Sequence, residues 1–203
     1  MDGRTHASVG VATGLLLSCT VPIASSYEQL AIGIGASIVG SLFADLDIEQ
    51  SLGGKSLRKF LSFAVPIVSI LFLGKVLGFI DFSKSGIKTE QILAMLLFVG
   101  IGIYARSRPH REFTHSIFIL YCTTACVYCF MWSYVWPWYL AGYLSHLVID
   151  ILNTKGESLL WSLPPKFSLR LCKADGITNK VLFFAGIIAS IAVIAFKGGV
   201  WFG

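Results

Sequence analysis

The feature that most constrains this chain is a succession of apolar stretches, at about 7–24, 29–44, 60–80, 91–105, 114–132, 137–153 and 181–197, separated by short polar loops. A full bilayer crossing takes roughly 20 apolar residues, and several of these stretches are shorter. The pattern predicts an all-α fold, a polytopic transmembrane helical bundle of about five to seven membrane segments. The second, fourth and sixth would be short or partly embedded. Composition agrees: only 13% of the residues are charged and the mean hydropathy is +0.75, too little polar surface for a soluble domain of this size. The 203 residues suit a single integral membrane domain over 1–203, with an interfacial loop at 154–180 inside it.

Loop charge orients the bundle. With seven crossings and a cytoplasmic N-terminus, one side collects Arg4, Lys55, Arg58, Lys59, Arg106, Arg108, Arg111, Lys155, Lys166, Arg170, Lys173 and Lys180. The other side holds Lys84, Lys88 and Lys197, and Lys75 falls within the third segment. Retention of Lys and Arg in cytoplasmic loops then assigns the richer side to the cytoplasm, and explains a pI near 9.0 without nucleic acid. No compact basic module interleaved with aromatics is present for nucleic acid, so none is expected as a partner. In the longest loop, LLWSLPPKFSLRL at 159–171 alternates Trp161, Leu163, Phe167, Leu169 and Leu171 with basic residues, which suits a segment at headgroup depth. Gly10 and Gly14 in the first segment, and Gly33, Ser37 and Ser41 in the second, mark helix contacts.

Two signals point elsewhere and are set aside. Cys122, Cys126 and Cys129 have the CxxxCxxC spacing of cluster-binding cysteines, but they sit in the unbroken apolar run FILYCTTACVYCFMW, with no loop to wrap a cluster. The odd total of five cysteines gives no disulfide framework. Arg4 followed by SVGVATGLLLSC resembles a cleaved leader ending at Cys19, but the other spanning stretches favour a retained first helix.

The chemistry-bearing residues gather at one side. His6, His110, His115 and His146 each lie near the cytoplasmic end of an expected segment, together with Asp45, Asp47 and Asp150. His146 and Asp150 are four apart, on one helix face. Asp45 and Asp47, two apart, turn toward one ion if the chain has left the helix there. Imidazole with carboxylate suits a divalent ion such as Zn, Mn or Fe, and the lack of cysteine argues against a structural thiolate zinc. Seven ligands exceed the need of one tetrahedral ion, so one or two ions are expected. Arg111 supplies a planar charge suited to a phosphate oxygen. Thr114, Ser116 and Ser145 are available to support the ligands.

These residues fall in motifs that resemble the YdjM-like family of predicted membrane-bound metal-dependent hydrolases: THASVG at 5–10, FADLD at 43–47, HREFTHS at 110–116 and HLVIDILNTKGESLLWSLP at 146–164. The resemblance implies a bacterial or archaeal inner-membrane protein. It also implies a metal site made by His6, Asp45, Asp47, His110, His115, His146 and Asp150, with Arg111 close by. Two positions depart from the family pattern: Ala44 stands where Pro is usual, and Glu112 where Gly is usual. Neither removes a ligand.

The resulting expectation is a hydrolase at the cytoplasmic face, using metal-activated water on an ester or phosphoester, with Asp45 or Asp47 bridging ions and Arg111 steadying charge on the substrate. A membrane lipid or lipid-linked phosphate is the expected substrate. No GxSxG elbow is present to supply a serine nucleophile. The alternative is a divalent-metal or proton transporter built on the same cluster, for which residues nearer the bilayer midplane would be usual. A non-catalytic scaffold stabilised by metal is the third reading.

Overall fold

The computed structural model describes residues 1–21, 24, 26–48, 55, 59, 66, 67, 70, 73, 74, 88–161, 163–174 and 176–201. The apolar stretch at 60–80 falls almost wholly outside them, as do Arg58, Lys75 and Lys84. Six helices are described: α1 (Gly3–Thr20), α2 (Tyr27–Phe43), α3 (Thr89–Ala105), α4 (Ile117–Phe130), α5 (Trp136–Ile151) and α6 (Ile177–Trp201). A short 3-10 turn, Ala44–Asp47, continues α2. Among the described residues there is no strand, only two isolated bridges, Asn153 with Cys172 and Glu157 with Phe167. The fold is all-α.

Local chemistry sets the helix starts. The Asp2 carboxylate accepts from Thr5 N at 2.8 Å, Ser26 Oγ from Gln29 N at 3.2 Å, and Ser116 Oγ from Ile119 N at 3.2 Å. Each cap satisfies an amide that has no partner within its helix. Ser116 explains why α4 starts later than the apolar stretch at 114–132: residues 110–116 form turns, and the helix begins only after the cap.

The α1, α2 and α5 helices pack through small residues. Positions Gly33, Ser37 and Ser41 of α2, four apart on one face, meet Trp138, Gly142 and His146 of α5 in parallel register. A Cβ on Gly142 would strike the Ser37 backbone, and one on Gly40 the Tyr139 carbonyl. Along the same stripe of α2, antiparallel α1 brings Gly10 against Ser41 and Gly14 against Ser37, and Ser37 Oγ donates to Gly10 O at 2.8 Å. That bond contributes only about 0.6 kcal/mol by the average for interhelical bonds in membranes, so close packing contributes more to holding the helices together. The α3 and α4 helices pair beside this trio, around a core that includes Phe43, Ile101, Phe113, Ile119, Tyr139 and Tyr143. The α6 helix lies along α1 and turns Ile177, Val181, Phe184, Ile188 and Ile191 outward, each more than half exposed.

Among the described residues, two stretches are long and apolar enough for a full crossing, Tyr27–Asp47 and Ile177–Lys197. The α3 and α4 helices are apolar but shorter, at 17 and 14 residues. Cys122, Cys126 and Cys129 lie on α4 as free thiols, and Cys19 and Cys172 are free as well.

The seam generates a test. Gly142→Ala forces α2 and α5 apart and is expected to cost about 1–3 kcal/mol, the usual range for overpacking. Gly100→Ala, whose added carbon meets nothing within 4 Å, should leave stability unchanged or slightly raised. Thermal unfolding of both variants in detergent compares them directly.

Candidate metal centre

The bundle gathers its ligand-type residues at one end: the start of α1, the turn after α2, the 110–116 turn before α4 and the end of α5. His6, His115 and His146 are fully buried, and Asp45 and Asp150 nearly so. His110 is the outermost histidine, its side chain 34% exposed, with Nδ1 2.9 Å from Asp47 Oδ1.

Hydrogen bonding fixes the imidazole tautomers. His146 Nδ1 lies 2.6 Å from the carbonyl oxygen of Ser41, which can only accept, so Nδ1 carries the proton and Nε2 a lone pair. Thr114 Oγ1 donates to Asp47 Oδ2 at 3.0 Å, having only one proton to give, and so accepts from His115 Nδ1 at 3.2 Å. His115 Nε2 is then also a lone pair. The two Nε2 atoms face each other at 3.3 Å. Two acceptors opposed in a dry interior repel unless a cation lies with them, and this is the ligand tautomer that a partner behind each ring normally fixes.

Carboxylates ring this pair. Asp45 Oδ1 is 3.8 Å from His146 Nε2. Asp150 Oδ2 is 4.0 Å from both His115 Nε2 and His146 Nε2, while Asp150 Oδ1 is 3.3 Å from His6 Nε2. The His6 ring stacks on His146 with centroids 3.6 Å apart, and neither of its nitrogens has a hydrogen-bond partner. Among the described residues, four overlapping groups have one ligand atom per residue within 4.8 Å of the others: His6, His146 and Asp150; Asp45, His115 and His146; Asp47, His110 and His115; and His115, Asp150 and Glu157. The adjacent aspartates thus face different partners, because the 3-10 turn carries them around its axis instead of along one edge.

The supporting residues divide. Thr114 reaches both a ligand imidazole and Asp47, and Tyr143 donates its hydroxyl to the Thr114 carbonyl. Ser116 serves the α4 cap, and Ser145 bonds back to Gly142 O. The Arg111 guanidinium is 2.9 Å from Asp150 Oδ2 and 2.7 Å from Lys155 O, in a residue only 6% exposed. Its φ of 68° places a non-glycine residue in the left-handed region, which costs roughly 1–2 kcal/mol and is offset by those two bonds. Glu112 lies at the surface and pairs with Lys166 at 3.2 Å, away from the cluster.

Glu157 was not singled out by sequence reasoning. It follows α5 in a loop, outside any periodic pattern, yet it is fully buried with Oε1 3.8 Å from His115 Nε2. Both carboxylate oxygens lack hydrogen-bond partners. Burial, reinforced by the charge of Asp150, raises its carboxyl to about 9. The one available signal was a carboxylate seven residues beyond Asp150, within the same motif.

The donor set suits a divalent ion. It combines imidazole lone pairs, carboxylates and buried polar atoms without partners, and it contains no thiolate. These buried groups can hold a metal ion. Thr114→Val would remove the group that sets the His115 tautomer and restrains Asp47. It is expected to weaken divalent-ion affinity about 10–100-fold with the helical content retained, as read by chelator-competition titration alongside circular dichroism.

No curated protein and no solved structure matches the chain. A family model described as YdjM inner membrane protein matches residues 1–202. With all but the last residue matched, the chain belongs to the YdjM inner membrane protein family.

Proposed function

We propose that this protein is a multi-pass inner-membrane hydrolase that uses a divalent-metal centre to cleave an ester or phosphoester at the cytoplasmic face, with a lipid-linked phosphate as substrate. The observation that carries the reading is the pair of opposed imidazole lone pairs, His115 Nε2 and His146 Nε2 at 3.3 Å, ringed by Asp45, Asp150 and Glu157 at one end of the bundle. The outward apolar face of α6 would be costly in water, which supports a lipid surround. The shorter α3 and α4 then complete the bundle as partly embedded segments or with local thinning of the bilayer.

A divalent ion here supplies Lewis acidity and a water acidified toward neutral pH. The chain's own residues supply placement. The Ser41 carbonyl and Thr114 hydroxyl aim His146 and His115, and Asp45 and Asp150 provide negative charge in a dry pocket. Arg111 orients Asp150. Its remaining donors are available to a phosphate oxygen. The partly exposed His110, in contact with the covered Asp47 carboxylate, gives an approach from the aqueous side.

The ribbon between α5 and α6 supports a lipid substrate. Leu160, Leu163, Leu169 and Leu171 are each close to half exposed or more, next to exposed Lys166 and Arg170. Apolar side chains beside basic ones suit the boundary between acyl chains and anionic headgroups.

Metal or proton transport through the same cluster is the competing reading, and the position of the cluster at helix ends weighs against it. The test is purified protein in detergent assayed on phosphatidic acid and other lipid phosphates, and in proteoliposomes for ion flux. Metal-dependent phosphate release is expected, lost with a chelator. Asp45→Ala and His146→Ala should reduce it at least about 100-fold, the upper range for loss of a mere supporting group. Ion flux without hydrolysis would sink the hydrolase reading.

A further inference from the structure

We infer that Glu157 is a metal ligand which, with His115 and Asp150, holds a second divalent ion and so pins the ribbon between α5 and α6 over the centre. This rests on the metal centre proposed above.

The first support is that the side chain has no other employment. Glu157 is fully buried, its two oxygens have no hydrogen-bond partner, and Oε1 points at His115 Nε2 from 3.8 Å. Burying a carboxyl without a partner costs several kcal/mol unless a cation or proton compensates. A carboxylate placed there by accident of packing would be expected to turn toward a nearby donor.

The second is that the backbone aims it. Glu157 N donates to Phe167 O at 2.9 Å and Phe167 N donates to Glu157 O at 2.8 Å. The next residue is tied to the turn carrying Arg111 and His115: Ser158 N donates to Arg111 O at 3.0 Å, and Ile117 N to Leu159 O at 2.9 Å. Gly156 is needed for this closeness, since a Cβ there would lie 2.9 Å from Lys166 Cβ and 3.2 Å from Phe167 O. Backbone bonds on both sides therefore fix the direction of the side chain.

The third is the partition of donors. His115 belongs to three of the four candidate groups. A single Nε2 lone pair ligates one ion, so those three groups are alternatives and not separate sites. Asp150 offers an oxygen to each of two ions: Oδ1 lies 3.3 Å from His6 Nε2, beside the Met1 ammonium at 2.6 Å, and Oδ2 lies 4.0 Å from both His115 Nε2 and His146 Nε2, beside Arg111 at 2.9 Å. One ion then takes His6, His146 and Asp150, and the other takes His115, Asp150 and Glu157. Asp150 is the bridge between them, not Asp45 or Asp47.

The consequence is coupling between metal and ribbon. Thr154 N to Cys172 O, Leu171 N to Leu152 O, Leu169 N to Ile151 O and Glu157 N to Phe167 O hold residues 151–157 and 167–172 together as one body. A ligand at Glu157 attaches that body to the centre, so filling the second position should protect its amides.

Full-length protein in detergent, stripped with chelator and titrated with Mn²⁺, tests this. About two ions per chain are expected for the native protein, with a spin-coupled pair by electron paramagnetic resonance. Glu157→Gln, nearly isosteric, should retain the first ion and lose the second or bind it at least about 10-fold more weakly. Amide exchange across 153–172 should slow on Mn²⁺ addition in the native protein, and not in Glu157→Gln. Equal stoichiometry and affinity in the two proteins would overturn the inference while leaving the metal centre intact. So would native protein whose ribbon gains no protection from Mn²⁺, a readout independent of any variant. Native protein that binds no divalent ion overturns the centre itself.

Discussion

Close approach of α2 to α5 is the constraint on which the site depends. Helices with ordinary side chains at their contact lie 8–10 Å apart, and at Gly40 and Gly142 even one added carbon would enter the facing backbone. That approach lets the Ser41 carbonyl reach His146 Nδ1 and leaves Nε2 as a lone pair. The same face of α2 also accepts α1 through Gly10 and Gly14, which brings the start of α1, and with it His6, onto the His146 ring. Three helices thus converge on one end because glycine and serine occupy the seam there, at Gly10, Gly14, Ser37, Gly40, Ser41 and Gly142.

The centre is assembled from outside as well as within. Thr114 ties Asp47 to His115, and Arg111 ties Asp150 to the ribbon through Lys155 O. His146, His115, Asp47 and Asp150 are each held by a group outside the donor set, whereas His6 and Glu157 are held by packing and backbone alone. Arg111 and the Met1 ammonium compensate Asp150, but the opposed lone pairs and the other buried carboxylates remain unfavourable in a dry pocket. A divalent cation would relieve both problems at once.

Much of this was legible in the sequence because it is local. Apolar runs separated by loops gave helices, the four-residue spacing of His146 and Asp150 put them on one face, and Gly33, Ser37 and Ser41 marked a packing stripe. Local pattern was a weaker guide to extent. Among the described residues, length and composition place two stretches at a full crossing, and α4 is shorter than its apolar run because Ser116 caps it from within.

The tertiary structure decided what depends on contacts between distant segments. Sequence spacing paired Asp45 with Asp47, whereas the fold turns Asp45 toward His146 and Asp47 toward His110, because a 3-10 turn rotates successive side chains around its axis. Glu157 carries no periodicity and no neighbouring ligand in sequence. It enters the centre only through the backbone pair with Phe167 and the latch of Ser158 onto Arg111. The sequence by itself determined the all-α architecture and most of the ligand types, since helical periodicity and residue chemistry act over a few residues. Which donors face one another was decided only by the fold, since that is a property of helix packing and ribbon closure across more than a hundred residues of chain, as between Ser41 and His146.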